Sequence, residues 1–185
     1  MPRSLLFTGH MIDAPNRAEP RFPAALEGAA RTRIALAIAP FAPGGPSADV
    51  EVAGFASGAR GGDILFHEQC RARGVDTVII LPFAPELFIE TSVALPDSDW
   101  IERFWALWSA TPEERREVMG LPKTDEAYGL CNTRLLERAR AFGRVHLIAL
   151  WDGKSGDGPG GTADLVAKAR GADEPDIFSP QELSG

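Results

Sequence analysis

Val50–Phe83, VEVAGFASGARGGDILFHEQCRARGVDTVIILPF, decides the fold of this chain. The stretch reads as a strand, a glycine-rich turn, a helix opening at Asp63 and a second apolar strand. Gly54, Gly58, Gly61 and Gly62 admit backbone conformations and close approaches that a Cβ forbids. Asp63 is a good N-cap, since its carboxylate can accept from an unpaired amide of the first turn. Gly74 supplies the usual left-handed stop. Asp76–Phe83, DTVIILPF, has the unbroken apolar character of a strand buried on both faces. Strand, loop, helix and strand at this length predict a βαβ crossover, with its loop at the carboxyl end of a parallel sheet. Ligands bind at that end in doubly wound folds, and amides at such a helix start favour an anion.

The rest of the chain fits around this unit as a single domain spanning residues 1–185. Ser4–Thr8 predicts a first strand, followed at once by Gly9 and His10. Met11–Pro23 carries three prolines and predicts a long loop, whose polar residues include Asn16, Arg17, Glu19 and Arg21. Ala24–Ile38 has helical apolar spacing through Leu26, Ala30, Ile34 and Ile38. The prolines and glycines of Pro40–Ser47 end it. Beyond Phe83, Pro85–Val93 predicts a short helix. Asp99–Ala110 predicts a longer one, with Asp99 and Glu102 spaced as a capping box. Thr111-Pro112-Glu113-Glu114 carries another helix-start signature and predicts a short helix stopping near Gly120. Asp125–Phe142 predicts a long helix ended by Gly143, and Val145–Trp151 a further buried strand. Asp152–Gly161, DGKSGDGPGG, is a second glycine-rich loop with five glycines in ten positions. It leads into a helix over Thr162–Arg170, with Thr162 as N-cap. Pro175–Ser179 predicts an edge strand.

Composition excludes several classes of function. The 19 basic and 26 acidic residues give a net charge of −7. A general nucleic-acid binder needs the reverse balance, because its affinity comes from neutralising phosphates. One bound nucleotide remains compatible with it. No apolar run approaches the ~20 residues that span a bilayer, and the N-terminus lacks signal-peptide character. The two cysteines form no spaced framework. These features predict a soluble, cytoplasmic protein.

Two glycine loops each follow a buried strand and precede a helix. At one end of one sheet they would form a cleft suited to a phosphate-bearing ligand; the alternative is that the glycines only reverse the chain. Neither loop has the Gly-Lys-Ser/Thr of a P-loop, and the GxGxxG dinucleotide pattern is absent.

Thr8-Gly9-His10, Ser57-Gly58-x-x-Gly61-Gly62-Asp63, Leu81-Pro82-Phe83 and Gly158-Pro159-Gly160-Gly161-Thr162 occur in this order. Through them the chain resembles the SLOG superfamily, Rossmann-like domains that include the Smf DNA-processing proteins and the Lonely Guy phosphoribohydrolases. The resemblance runs from Leu5 to about Arg170. It implies an α/β, three-layer sandwich on a mostly parallel sheet of about five strands, and a pocket for a nucleotide or nucleotide-derived molecule lined by the two loops. Some such domains cut a base from a nucleoside monophosphate, and others bind or sense their ligand. The Lonely Guy motif continues Gly-Thr-x-x-Glu. With Thr162 in the threonine place, the glutamate place falls on Leu165, and Asp164 sits one position early. Leu165 cannot steady the cationic sugar that forms as an N-glycosidic bond breaks.

The expectation is therefore a binding or sensing module in a bacterial signalling system, with a nucleotide N-glycosidase as the alternative and a protein–protein adaptor as a third. The candidate ligand residues are Gly9, His10, Arg17, Ser57, Gly58, Gly61, Gly62, Asp63, Asn132, Gly158, Gly160, Gly161 and Thr162. Several have a plainer reading as well: His10 as a structural hydrogen bond, Asp63 as a cap, Arg17 as a solvated loop residue, Asn132 as a surface amide. No residue is assigned a catalytic role. His67 and Cys70 stand at i, i+3, but two ligands without others make no site, so neither a metal nor a cofactor is expected. The Trp100/Phe104/Trp108 stripe reads as core or, where exposed, as an interface with a second subunit or a fused or partner signalling domain.

Overall fold

The computed structural model describes residues 1–156 and 158–184. In chain order their elements are β1 (Arg3–Gly9), α1 (Glu27–Ile38), β2 (Val52–Ala56), α2 (Gly62–Ala72), β3 (Asp76–Leu81), α3 (Pro85–Phe88), α4 (Trp100–Ala110), β4 (Arg116–Val118), α5 (Asp125–Phe142), β5 (Arg144–Leu150), α6 (Thr162–Lys168) and β6 (Asp173–Phe178). A π-helical turn, Ile89–Val93, prolongs α3. The strands form one sheet in the order β4-β3-β2-β1-β5-β6, and every pairing is parallel.

The layers follow from side-chain alternation along strands that are apolar on both faces. Leu5 and Phe7 of β1 point to the side occupied by α1, α2 and α4, where Ile34, Phe66 and Phe104 meet them in one core. Leu6, Phe55 and Leu147 point the other way, against Leu135 and Ala139 of α5 and Leu165 of α6. The result is an α/β three-layer sandwich.

The sheet holds six strands, wholly parallel, where about five and mostly parallel were expected. The extra strand comes from the stretch read as a helix near Thr111–Gly120. Glu113–Arg115 make only a 3₁₀ turn, and Arg116–Val118 then pair with Ile79–Leu81. Local helix signals yield here because β3 offers an open row of backbone groups, and a side chain's preference for strand depends on what it can pack against. Met119 N extends the pairing to Leu81 O at 2.9 Å. Arg134 and Arg138 of α5 both reach Glu117, fixing the new strand from the neighbouring layer.

Three helix starts differ in detail. α2 opens at Gly62 with Gly61 as its N-cap, so Asp63 lies inside the first turn. Thr162 is the first residue of α6 and Gly161 its cap. Asp99 does precede α4, but its side chain makes no capping bond and lies 3.6 Å from Arg103 instead. Gly54 belongs to β2 and not to the turn; a Cβ there would meet the Phe66 ring at 2.9 Å.

β1 is the centre of the topology. From β1 to β4 the sheet grows in one direction; α5 then carries the chain back, and β5 pairs with the other side of β1. The strand order reverses between β1 and β5, and loops leaving two such strands diverge, opening a crevice at their carboxyl ends.

Candidate functional site

The crevice is present as a cavity of about 320 Å³, at the small end of the range for ligand pockets. Its lining comes from the ends of β1 (Thr8, Gly9, His10), the loop after β2 (Ser57, Ala59) and Asp63 of α2. Pro82, Phe88, Thr91 and Ser92 close the β3 side. Tyr128, Cys131 and Asn132 share one face of α5, at i, i+3 and i+4. Trp151 and the second glycine loop close the β5 side. Both glycine loops thus reach one cleft. Asp157, within the second loop, lies outside the described residues.

The first loop is held by contacts that its glycines permit. A Cβ on Gly62 would sit 3.0 Å from Gly9 Cα, so the start of α2 rests directly on the end of β1. Gly61 has φ +89°, and a Cβ there would lie 2.6 Å from Ile12 N. Gly58 packs under Phe104. Gly62 N donates to His10 O at 3.1 Å and Arg60 N to Ser92 O at 2.9 Å, so these amides brace neighbouring loops. Of the candidates in this loop, Ser57 and Asp63 line the cleft; Gly58, Gly61 and Gly62 do not, and pack on Phe104, residues 10–12 and Gly9.

Asp63 is 8 % exposed and accepts from Ala59 N at 3.2 Å, binding the loop to the helix it precedes. Burial pushes its carboxyl up to about 7, against a small downward pull from that amide. Near neutral pH it therefore exchanges a proton readily. Cys131 lies beside it, donating to Ile80 O at 3.4 Å. Burial pushes this thiol up to about 12, with the Asp63 charge adding to the effect, so it is no nucleophile.

His10 sits at the β1–β5 end, with its side chain and that of Asp152 each 5 % exposed. Its Nε2 lies 3.1 Å from Asp152 N and 3.2 Å from Asp152 Oδ1. Burial lowers the imidazole pKa and outweighs the attraction of Asp152, so the ring is neutral near pH 7. The neutral Nε2 accepts from the Asp152 amide, which ties the start of the second loop to β1. His67, also buried, is pushed down to about 4 by burial, and its Nε2 meets Ser57 O at 2.7 Å. It positions the loop from behind.

The end of the second loop is fastened by Asn132. Its Nδ2 donates to Gly160 O at 3.0 Å, Gly161 O at 3.3 Å and Asp164 Oδ2 at 2.8 Å. In a trans peptide the N–H points opposite to the C=O. The amides of Gly161 and Thr162 are accordingly turned away from Asn132. Gly160, φ +83°, packs so closely on α5 that a Cβ would lie 2.3 Å from Tyr128 Cβ. Asp164 is committed to Asn132 and to Lys168 Nζ, 2.8 Å away. Leu165 is 1 % exposed in the core.

Of the residues singled out from sequence, Gly9, His10, Ser57, Asp63, Asn132, Gly158, Gly160, Gly161 and Thr162 line the cleft. Arg17 does not. Its Nε donates to Glu19 O at 2.9 Å, and it borders a separate groove beside Pro20 and Trp100. The arginine that lines the cleft is Arg21. Asp13 Oδ2 accepts from both Arg21 N and Phe22 N at 2.9 Å, and Phe22 is wholly buried. Phe22, the aromatic residue of this proline-rich loop, was the usable signal: it anchors its neighbour. Thr8, Thr91, Ser92, Tyr128, Cys131 and Trp151 also line the cleft without having been singled out as ligand contacts. Trp151, at the junction of a buried strand and a glycine loop, was the most legible of them.

Among the described residues, the lining includes Thr8, Ser57, Thr91 and Thr162, the aromatic residues Tyr128 and Trp151, one arginine, and the acids Asp63 and Asp125. Among the described residues no group of three or more His, Cys, Asp or Glu is placed to hold a metal ion, and no helix is long and apolar enough to cross a membrane. In comparisons with known proteins, no family model, no curated protein and no solved structure matches this chain.

Proposed function

We propose that this chain binds a nucleotide-derived small molecule in the cleft at the β1–β5 switch point, as the resemblance to SLOG domains implies, and serves as a sensing module in signalling. The observation that carries the reading is the convergence of both glycine loops, Arg21 and two aromatic residues on one cavity of about 320 Å³. Aromatic rings offer stacking to any base, worth about 1–3 kcal/mol each where a base lies flat. A guanidinium offers charged hydrogen bonds to a phosphate. The position where the hydrolases of the superfamily carry a glutamate is a core leucine, Leu165, and the adjacent Asp164 is held by Asn132 and Lys168. Mass spectrometry of small molecules released by denaturing the purified protein tests the reading directly. Recovery of a nucleotide or derivative is expected; a purified protein that carries none and binds none in a calorimetric panel would sink it.

One observation favours an enzyme as the second reading. Asp63 faces the cleft with its carboxyl raised to about 7, the range in which a general acid or base works best. Base release from nucleoside monophosphates separates the two. Turnover abolished by Asp63→Asn and retained by Asp164→Asn would establish the enzyme; no turnover with retained binding is the outcome expected of a sensor.

A further inference from the structure

The arginine of the cleft lining and two of its carboxyls lie at opposite ends. Arg21 acts on His10 and Asp152, the groups at the carboxyl ends of β1 and β5. Asp63 acts on Cys131, below the loop after β2. Asp125 stands one turn before Tyr128, whose ring packs edge-on against Phe83 just beyond β3. The β2–β3 side of the cleft therefore carries two carboxyls, and the β1–β5 side sets the guanidinium beside the Asp152 carboxylate. Resting on the reading of the cleft as a nucleotide pocket, we propose that Arg21 receives the phosphate of the ligand at the β1–β5 end, and that its uncharged part lies toward Ser57 and Asp63.

Three features support this orientation. Arg21 is delivered by a braced loop: the Asp13 carboxylate holds the amides of residues 21 and 22, Phe22 is seated in the core, and Arg60 Nε clasps Ile12 O at 2.9 Å. A guanidinium presented this way loses little freedom when it binds, which favours a planar, two-point contact with phosphate oxygens. A phosphate at the opposite end would meet the Asp63 and Asp125 carboxyls away from Arg21, whereas at the β1–β5 end the guanidinium offsets Asp152. The buried Asp63 carboxyl, shifted upward, is instead suited to exchange hydrogen bonds with a sugar hydroxyl or a ring nitrogen. Trp151 follows β5 at the Arg21 end, and Tyr128 packs on Phe83 toward the other.

Calorimetry on the full chain with adenosine, guanosine, cytidine and uridine and their 5′-monophosphates tests the proposal. For whichever base binds, the monophosphate is expected to bind at least about 10-fold tighter than the nucleoside. Arg21→Gln should remove roughly 10- to 100-fold of monophosphate affinity, the value of a charged hydrogen bond, while nucleoside affinity changes by less than about 3-fold. Arg21→Lys, which keeps the charge without the planar fork, should fall between. Arg17→Gln makes the same charge change four residues away and should leave the ratio intact, which separates a contact from a general field. Melting temperature checks that each variant folds. Equal affinity of nucleoside and monophosphate in the unaltered protein would overturn the proposal and leave the binding reading standing. So would an unchanged ratio in Arg21→Gln. Absence of binding by every member of the panel would remove the binding reading, and the proposal with it.

Discussion

A Cβ placed on Gly61, in the first glycine loop, would lie 2.6 Å from Ile12 N; placed on Gly153 or Gly156, in the second, it would meet nothing within 4 Å. The two loops have similar compositions and use glycine for different reasons. In the first, glycine lets segments of the protein touch: α2 against β1 at Gly62 and Gly9, the loop against residues 10–12 at Gly61. In the second, a Cβ on Gly153, Gly156 or Gly158 would meet no neighbour, while Gly160 packs on α5 and is held by Asn132. The acids of the two regions differ in the same sense. Burial raises Asp63 in the first to about 7. Asp152 in the second is also pushed upward by burial, but the Lys154 amide and His10 more than reverse this and hold it below its ordinary value. One loop is a piece of the core that happens to border a cleft. The other is tied at its start by His10 and at its end by Asn132.

The largest effect expected from this contrast is at Gly61. Gly61→Ala adds overpacking to left-handed strain, each about 1–3 kcal/mol, for a loss of about 4 kcal/mol in urea unfolding. Gly153→Ala has only the backbone term, about 1 kcal/mol, because φ is +80° with open space around it. Equal losses at the two positions would break the comparison.

Next comes pH. The folded protein holds a proton on Asp63 that the unfolded chain releases above about pH 4. The stability contributed by this group is complete below about pH 4 and is lost as pH rises through about 7. A shift of this size is worth about 4 kcal/mol at most, and about 3 after allowing for water drawn to the carboxylate. Asp63→Asn should flatten the dependence between pH 4 and 7 and leave the protein more stable than its parent at pH 8. Asp152, lowered on folding, has the opposite sign: it stabilises above the ordinary carboxylate range, and that contribution fades as pH falls. Denaturation curves of both Asn variants from pH 2 to 8 check this, with the Asp152 effect expected below about pH 4, and parallel profiles would contradict it.

Asn132→Ala removes three hydrogen bonds from the fastened end of the second loop. About 2 kcal/mol is expected, with lost hydrogen-exchange protection at the Asp164 and Leu165 amides, which donate to Gly161 O. Protection around α2 should be unchanged. The smallest effect is at Gly156, where φ lies outside the left-handed region and no neighbour approaches. Gly156→Ala should shift stability by no more than about 0.5 kcal/mol, toward greater stability if at all, by narrowing the unfolded ensemble. A large loss there would mean that the open segment packs against something.

Much of this architecture could be read along the chain. The runs LLF, TVIIL and VHLIAL announced buried parallel strands, and the spacing of Leu135, Ala139 and Phe142 announced α5 to within a residue. β4 escaped because its three residues carry no strand pattern of their own; only the open edge of β3 makes a strand of them. The choice of Arg17 over Arg21 failed to reach the cleft for a related reason. Both stand in the same polar loop, and what separates them is that Phe22 is buried and Asp13 folds back onto the amide of residue 21.

By itself, then, the sequence determined what is local or periodic: which segments are apolar on both faces, where helices stop, and that two glycine-rich turns follow buried strands. These depend on side-chain alternation and backbone freedom, which the order of residues carries directly. Only the tertiary structure decided that Gly61 and Gly160 serve packing, that Asp63 is buried enough to hold a proton near neutral pH, and that Arg21 reaches the crevice between β1 and β5. Each of these depends on what lies across space. A clash distance, a desolvation cost or the reach of a guanidinium is set by residues tens of positions away, which only the order of strands in the sheet brings together.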